Sequence, residues 1–178
     1  MYEKEKLEEA KYFYSRMVEE QLKKENFRHN LSAFLSSARS VLQYSLAEAQ
    51  GISGGQAWYD NFVLKHPTLK FFGDKRNINI HYRPITPAAN YKVTIGDTLG
   101  LSDSVTVIVR DKNGNIKSQH SSEPYSKSKP IESKTTIQVR YEFDDWKGPE
   151  DVLTLSQKYL QELGAFIDDG VSKGFITG

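Results

Sequence analysis

Along the first half of the chain the apolar positions recur every three or four residues, the spacing that gathers side chains onto one stripe of an α-helix. Leu7, Ala10, Phe13 or Tyr14, Met17, Val18 and Leu22 follow it among glutamates and lysines, and the pattern stops near Glu25-Asn26-Phe27. Asn30 is placed to cap a second helix whose stripe is Leu31, Phe34, Leu35, Ala38, Val41, Leu42, Leu46 and Ala49, ending at Gly51. Ser36, Ser37, Ala38, Ser40 and Ser45 are small, so a neighbouring helix can approach closely. Gly51-Ile52-Ser53-Gly54-Gly55 lacks the lysine and flanking strand of a phosphate loop and reads as a linker. A short third helix is expected from Gln56 to Lys65, with Trp58 and Phe62 on one face, stopping before Pro67. A fourth segment, Thr68 to Tyr82, carries Leu69, Phe71, Phe72, Ile78 and Ile80, and Arg83-Pro84 ends it.

From Pro84 the period changes to two. Tyr91 to Ile95, Ser104 to Val109 and Thr135 to Phe143 alternate as strands do, and Asp111-Lys112-Asn113-Gly114 signals a hairpin from which Asn115 to Ser121 pairs back. The polar stretch Ser121 to Ser133, with Pro124 and Pro130, reads as a mobile loop. These segments predict a four-stranded antiparallel sheet, too small to stand without helices packed on it. Gly148-Pro149-Glu150-Asp151 then restores helix grammar, with proline and acids suited to a first turn. Val152, Leu155, Tyr159, Leu160, Leu163, Phe166, Ile167 and Val171 form a last stripe that needs a partner, which the first two helices supply. The expected fold class is therefore α+β: an antiparallel helical bundle from residues 1–83 and 148–178, with a small antiparallel β-sheet inserted at 84–147.

Composition narrows the chemistry. A formal net charge of +1 over 178 residues is no polybasic nucleic-acid coat, and the absence of cysteine removes disulfides, thiolate nucleophiles and cysteine-ligated zinc. No apolar run suits a signal peptide or a bilayer span, so no membrane association and a cytoplasmic location are expected. His29, His66 and His120 fall on separate elements without metal-ligand spacing, and neither a metal nor a cofactor is expected. Asp144-Asp145 and Asp168-Asp169 read as solvated edges and helix ends, because neighbouring side chains point apart.

One cluster stands out. In Asp74-Lys75-Arg76-Asn77-Ile78-Asn79-Ile80-His81 an arginine, its neighbouring asparagine and a histidine fall within about a turn and a half of helix. Arginine carries a fixed cation in a planar fork that suits phosphate oxygens, and histidine exchanges protons near neutrality. Asn77 and His81 share a helix face, while Arg76 lies about 140° round from His81 and needs its reach to converge. The plain structural alternative is a solvated helix end in which Arg76 pairs with Asp74. Arg39, inside the small-residue stripe of the second helix, is a candidate for a second phosphate contact or a rim residue.

With two long helices, the phrase Phe34-Leu35-Ser36-Ser37-Ala38-Arg39-Ser40-Val41-Leu42 and Arg76-Asn77-x3-His81, the chain resembles the HEPN superfamily over its first 83 residues and its last 30 or so. That resemblance implies a helical homodimer that cleaves RNA without metal, with Arg76, Asn77 and His81 as catalytic residues. Arg39, Tyr82 and Arg83 then become candidate substrate contacts, and an antitoxin-like protein a candidate partner. The tyrosine modified in nucleotidyltransferase-paired toxins of the superfamily stands two residues after the histidine. Here that position is Arg83 and Tyr82 falls one place early, which argues against such regulation. From a different class, a non-catalytic HEPN-like dimer would bind nucleotide, RNA or protein.

Overall fold

A computed structural model describes residues 2–94, 106–121 and 136–177, folded as an α+β protein with the element order ααααββββα. The helices are α1 (Tyr2–Glu19), α2 (Lys24–Ala49), α3 (Gly55–Lys65), α4 (Pro67–His81) and α5 (Val152–Ser172). The strands are β1 (Ala88–Thr94), β2 (Thr106–Arg110), β3 (Ile116–Ser121) and β4 (Thr136–Glu142). They form two two-stranded sheets, β1 with β4 and β2 with β3, instead of one four-stranded sheet. Alternation identifies a strand but not its partner, which accounts for the difference. The strand ends expected at Ile95, Ser104-Val105 and Thr135, and the loop expected over 122–133, lie outside the described residues.

The chain divides into two compact units, Met1–Tyr91 with Gln138–Gly178, and Lys92–Ile137. In the first, α1 packs along α2 and α5, while α4 packs on α2, α3 and α5. Its centre is aromatic. Phe72 of α4 stacks on Tyr159 of α5 at 4.5 Å between ring centroids, and Phe34 of α2 meets both edge-on at 6.0 and 6.1 Å. Just past β4, Phe143 is buried and reaches Phe72 at 6.0 Å. Tyr141 stacks on Phe27 at 3.7 Å and donates its hydroxyl hydrogen to the Gln21 carbonyl at 2.8 Å. Residues 84–91 and 138–147 thus group with the helices. In the second unit, β2 and β3 form an antiparallel hairpin with every residue exposed.

Several local expectations are corrected. α2 begins at Lys24, six residues before Asn30, so Asn30 lies inside the helix and caps nothing. Its Nδ2 and that of Asn26 donate to the Glu20 carboxylate at 3.0 and 3.2 Å, closing the turn from α1, and buried Phe27 extends the apolar stripe upstream. Leu22 lies beyond the end of α1 and is exposed, as is Val18. Pro149 stands before α5 instead of in its first turn, because Asp151 is the cap, accepting from Thr154 N at 2.8 Å. In the hairpin turn only Gly114 takes positive φ (85°). Asp111 Oδ1 accepts from the backbone of Asn113 and Asn115 at 2.8 and 3.0 Å, and a bulge beside Arg110 absorbs the extra residue. Gly55 is required at the start of α3, where a Cβ would lie 2.0 Å from the Ala49 carbonyl oxygen.

Candidate functional site

The Arg-Asn-His cluster sits on the C-terminal half of α4, and Asn79 decides how that half is held. Its Nδ2 donates to Ser32 Oγ of α2 at 2.7 Å, and its Oδ1 accepts from the backbone N–H of Ile85 at 3.0 Å. One amide therefore fixes α4 against α2 and folds the following segment back over the helix end. Lys75 supports the neighbouring turn. Its side chain is buried, its ammonium pairs with Asp145 and lies 5.2 and 5.0 Å from the ring centroids of Phe71 and Phe143. Asp145 is thus one end of an ion pair instead of a merely solvated edge.

Within that frame the candidate residues separate. His81 is the last residue of α4 and exposed, Asn77 is exposed, and Arg76 is half-buried. Arg76 Nη1 donates to Asn77 Oδ1 at the long distance of 3.5 Å, and its Nε is buried without a hydrogen-bond partner. Among the described residues Arg76 forms no ion pair, so the expected alternative of a bond to Asp74 is not what occupies it. Tyr82 follows as the exposed C-cap, with its backbone N–H donating to Ile78 O at 3.0 Å.

Arg83 turns elsewhere. With Lys75, Ile78, Ile85, Phe143 and Asp144 it lines a cavity of about 350 Å³ that does not include Arg76, Asn77 or His81. Arg39 does not line that cavity either. From α2 it donates through Nη1 to the Tyr59 hydroxyl at 3.4 Å, and its Nε is also buried and unpartnered. The six candidates therefore do not line one common cavity.

Two further polar features escaped the sequence. Trp58 Nε1 donates to Asp169 Oδ2 at 2.6 Å, and Lys173 pairs with the same carboxylate at 2.9 Å. Together they hold the Asp169 carboxyl below its ordinary range, Lys173 contributing most. His66 is half-buried at the α3–α4 junction. Its ring stacks on Phe62 at 4.2 Å, with Nδ1 2.8 Å from the Phe62 carbonyl oxygen. Glu162 of α5 has its carboxyl pushed up, first by burial, while His66 and Lys158 oppose that shift. Trp58 with Asp169, and His66 with Glu162, lie far apart in the chain, so local spacing carries no sign of those two pairs.

Among the described residues no three His, Asp or Glu side chains are grouped so as to hold a metal ion, and no helix is long and apolar enough to cross a membrane. No family model, curated protein or solved structure matches the chain.

Proposed function

We propose that this chain is a metal-independent endoribonuclease of the HEPN type, active as a homodimer. One observation carries the reading: Arg76, Asn77 and His81 occupy the end of one anchored helix, with two of the three exposed and Arg76 free of any ion pair among the described residues. His81 exchanges a proton with the ribose 2′-hydroxyl or the leaving oxygen, and Arg76 stabilises the added charge on the phosphorus. Asn77 orients the phosphate or His81. One set of three offers few donors to a scissile phosphate, and a symmetry-related chain brings the second set. Toxin or defence-related RNA cleavage, with an antitoxin-like partner, is the biological setting that fits.

The test is incubation with single-stranded RNA in EDTA. Fragments ending in 2′,3′-cyclic phosphate are expected, together with dimeric sedimentation at micromolar concentration. His81→Ala and Arg76→Ala should each abolish cleavage while thermal melting stays native, since loss of proton transfer or of charge stabilisation costs several kcal/mol of the barrier, roughly 3 or more. Cleavage persisting in both variants would refute the assignment. A wild type inert on varied RNAs moves the reading to a non-catalytic dimer that binds nucleotide, RNA or protein. One observation favours that second reading: among the described residues no hydrogen bond orients the His81 ring.

A further inference from the structure

The seam between α2 and α4 holds two arginines with no carboxylate to pair with among the described residues. Arg39 reaches it from α2, its Nη1 standing 3.7 Å from the point a Cβ on Gly73 of α4 would occupy. Arg76 follows Gly73 by three residues, nearly one helical turn, and so shares that side of α4. Long helical side chains lean toward the N-terminus of their helix, a direction that takes Arg76 toward the turn containing Gly73. Each arginine has a buried Nε with no hydrogen-bond partner. The weak contacts they do make, Arg39 to the Tyr59 hydroxyl at 3.4 Å and Arg76 to Asn77 at 3.5 Å, neutralise neither.

The register of the seam is set one turn further on by the bond from Asn79 to Ser32 at 2.7 Å. The half-buried acid of α5, Glu162, faces His66, Lys158 and Thr68 instead of Arg39. Half-buried cations without a counter-charge favour an anion from outside, and the guanidinium fork suits phosphate oxygens in a way that an ammonium does not.

We propose that Arg39 and Arg76 form one phosphate-binding site across the α2–α4 seam, where buried Gly73, lacking a side chain, leaves room for the Arg39 guanidinium, and that it takes a backbone phosphate of single-stranded RNA. The site deepens the ribonuclease reading and rests on it for the source of the phosphate. It makes Arg39 a substrate contact delivered from the second helix, beside an arginine already assigned to charge stabilisation.

The experiment is anisotropy titration of the full chain with a labelled 2′-O-methyl RNA decamer, which lacks the 2′-hydroxyl and so cannot be cleaved through it. Binding that millimolar pyrophosphate displaces at constant ionic strength is expected. Arg39→Gln and Arg76→Gln should each weaken it about tenfold and lower the salt slope by about one phosphate contact. Because Arg39 is packed between helices, its variant is read only if it melts as the wild type does; Arg76, at the more open end of α4, supplies the second arm.

Either folded variant retaining wild-type affinity overturns the site, as does a wild type that binds neither the decamer nor pyrophosphate. Direct pyrophosphate binding, read by isothermal titration calorimetry, with no decamer affinity would also overturn it, assigning the arginines to a small phosphate ligand. Arginine-dependent decamer binding without cleavage of natural RNA leaves the site standing and refutes the nuclease. Cleavage with unchanged affinity in Arg39→Gln does the reverse.

Discussion

Replacing Trp58 by phenylalanine removes one hydrogen-bond donor while keeping an aromatic ring in its slot, and the cost can be worked out from the geometry. The indole is buried between Phe166 and Phe175, with centroids 4.8 and 5.3 Å away, and gives its N–H to Asp169 at 2.6 Å. A hydrogen bond to a charged group contributes roughly 1.5–3 kcal/mol. The Asp169 side chain is 30% exposed and keeps its pair with Lys173, which puts the expected value near the lower end, about 1.5 kcal/mol. Loss of ring area adds about 1 kcal/mol to the single variant. A double-mutant cycle of Trp58→Phe with Asp169→Ala, followed by urea unfolding and far-UV circular dichroism, isolates the bond from the area.

The pH dependence has a defined sign. The folded carboxyl of Asp169 lies below its ordinary 3.8, so its stabilisation is present above that value and is lost as pH falls through the lower folded pKa. The coupling should therefore be full at neutral pH and shrink as the solution is acidified below 3.8. A coupling under about 0.3 kcal/mol at neutral pH, or one that does not change with acid, would refute the reasoning.

Phe72→Ala should lose about 3–5 kcal/mol in chemical denaturation, because it empties a site that is fully buried against Tyr159, Phe34 and Phe143; a loss under about 2 would mean the cluster collapses around the gap. Tyr141 has its hydroxyl pushed up to about 12, first by burial and then by Tyr91, so its stabilisation is full below the unfolded value of 10.0 and lost as pH rises through about 12. The wild type should accordingly lose melting temperature more steeply than Tyr141→Phe over that range, and parallel curves would disprove it.

Helices were legible because the burial of a bundle follows the period that the apolar residues display. Leu31, Phe34, Leu35, Ala38, Val41 and Leu42 are all buried on one side of α2, as their spacing predicts. Residue-type signals fared differently where a side chain had more than one use. Asn30 has the composition of a cap but spends its amide on Glu20, and Asn113 precedes glycine without itself taking positive φ. Pairings across long separations were out of reach: Trp58 with Asp169, Lys75 with Asp145 and Asn79 with Ser32 are each invisible until the helices are docked. The Arg-Asn-His spacing was legible. Its isolation from the Arg83 cavity, and the presence of Arg39 beside Gly73, belong to tertiary packing.

The pairing of β1 with β4 bears on how the chain could tolerate change. These strands are neighbours in space although about forty residues separate them in sequence, so the two ends of the intervening segment are already joined by backbone hydrogen bonds. Closing a loop between ends that are held together costs only about 0.6 kcal/mol for each doubling of its length. The segment can therefore lengthen, shorten or be exchanged for another sequence with little entropic penalty to the helices. That freedom makes this stretch the part of the chain where new recognition properties could be acquired without disturbing the rest.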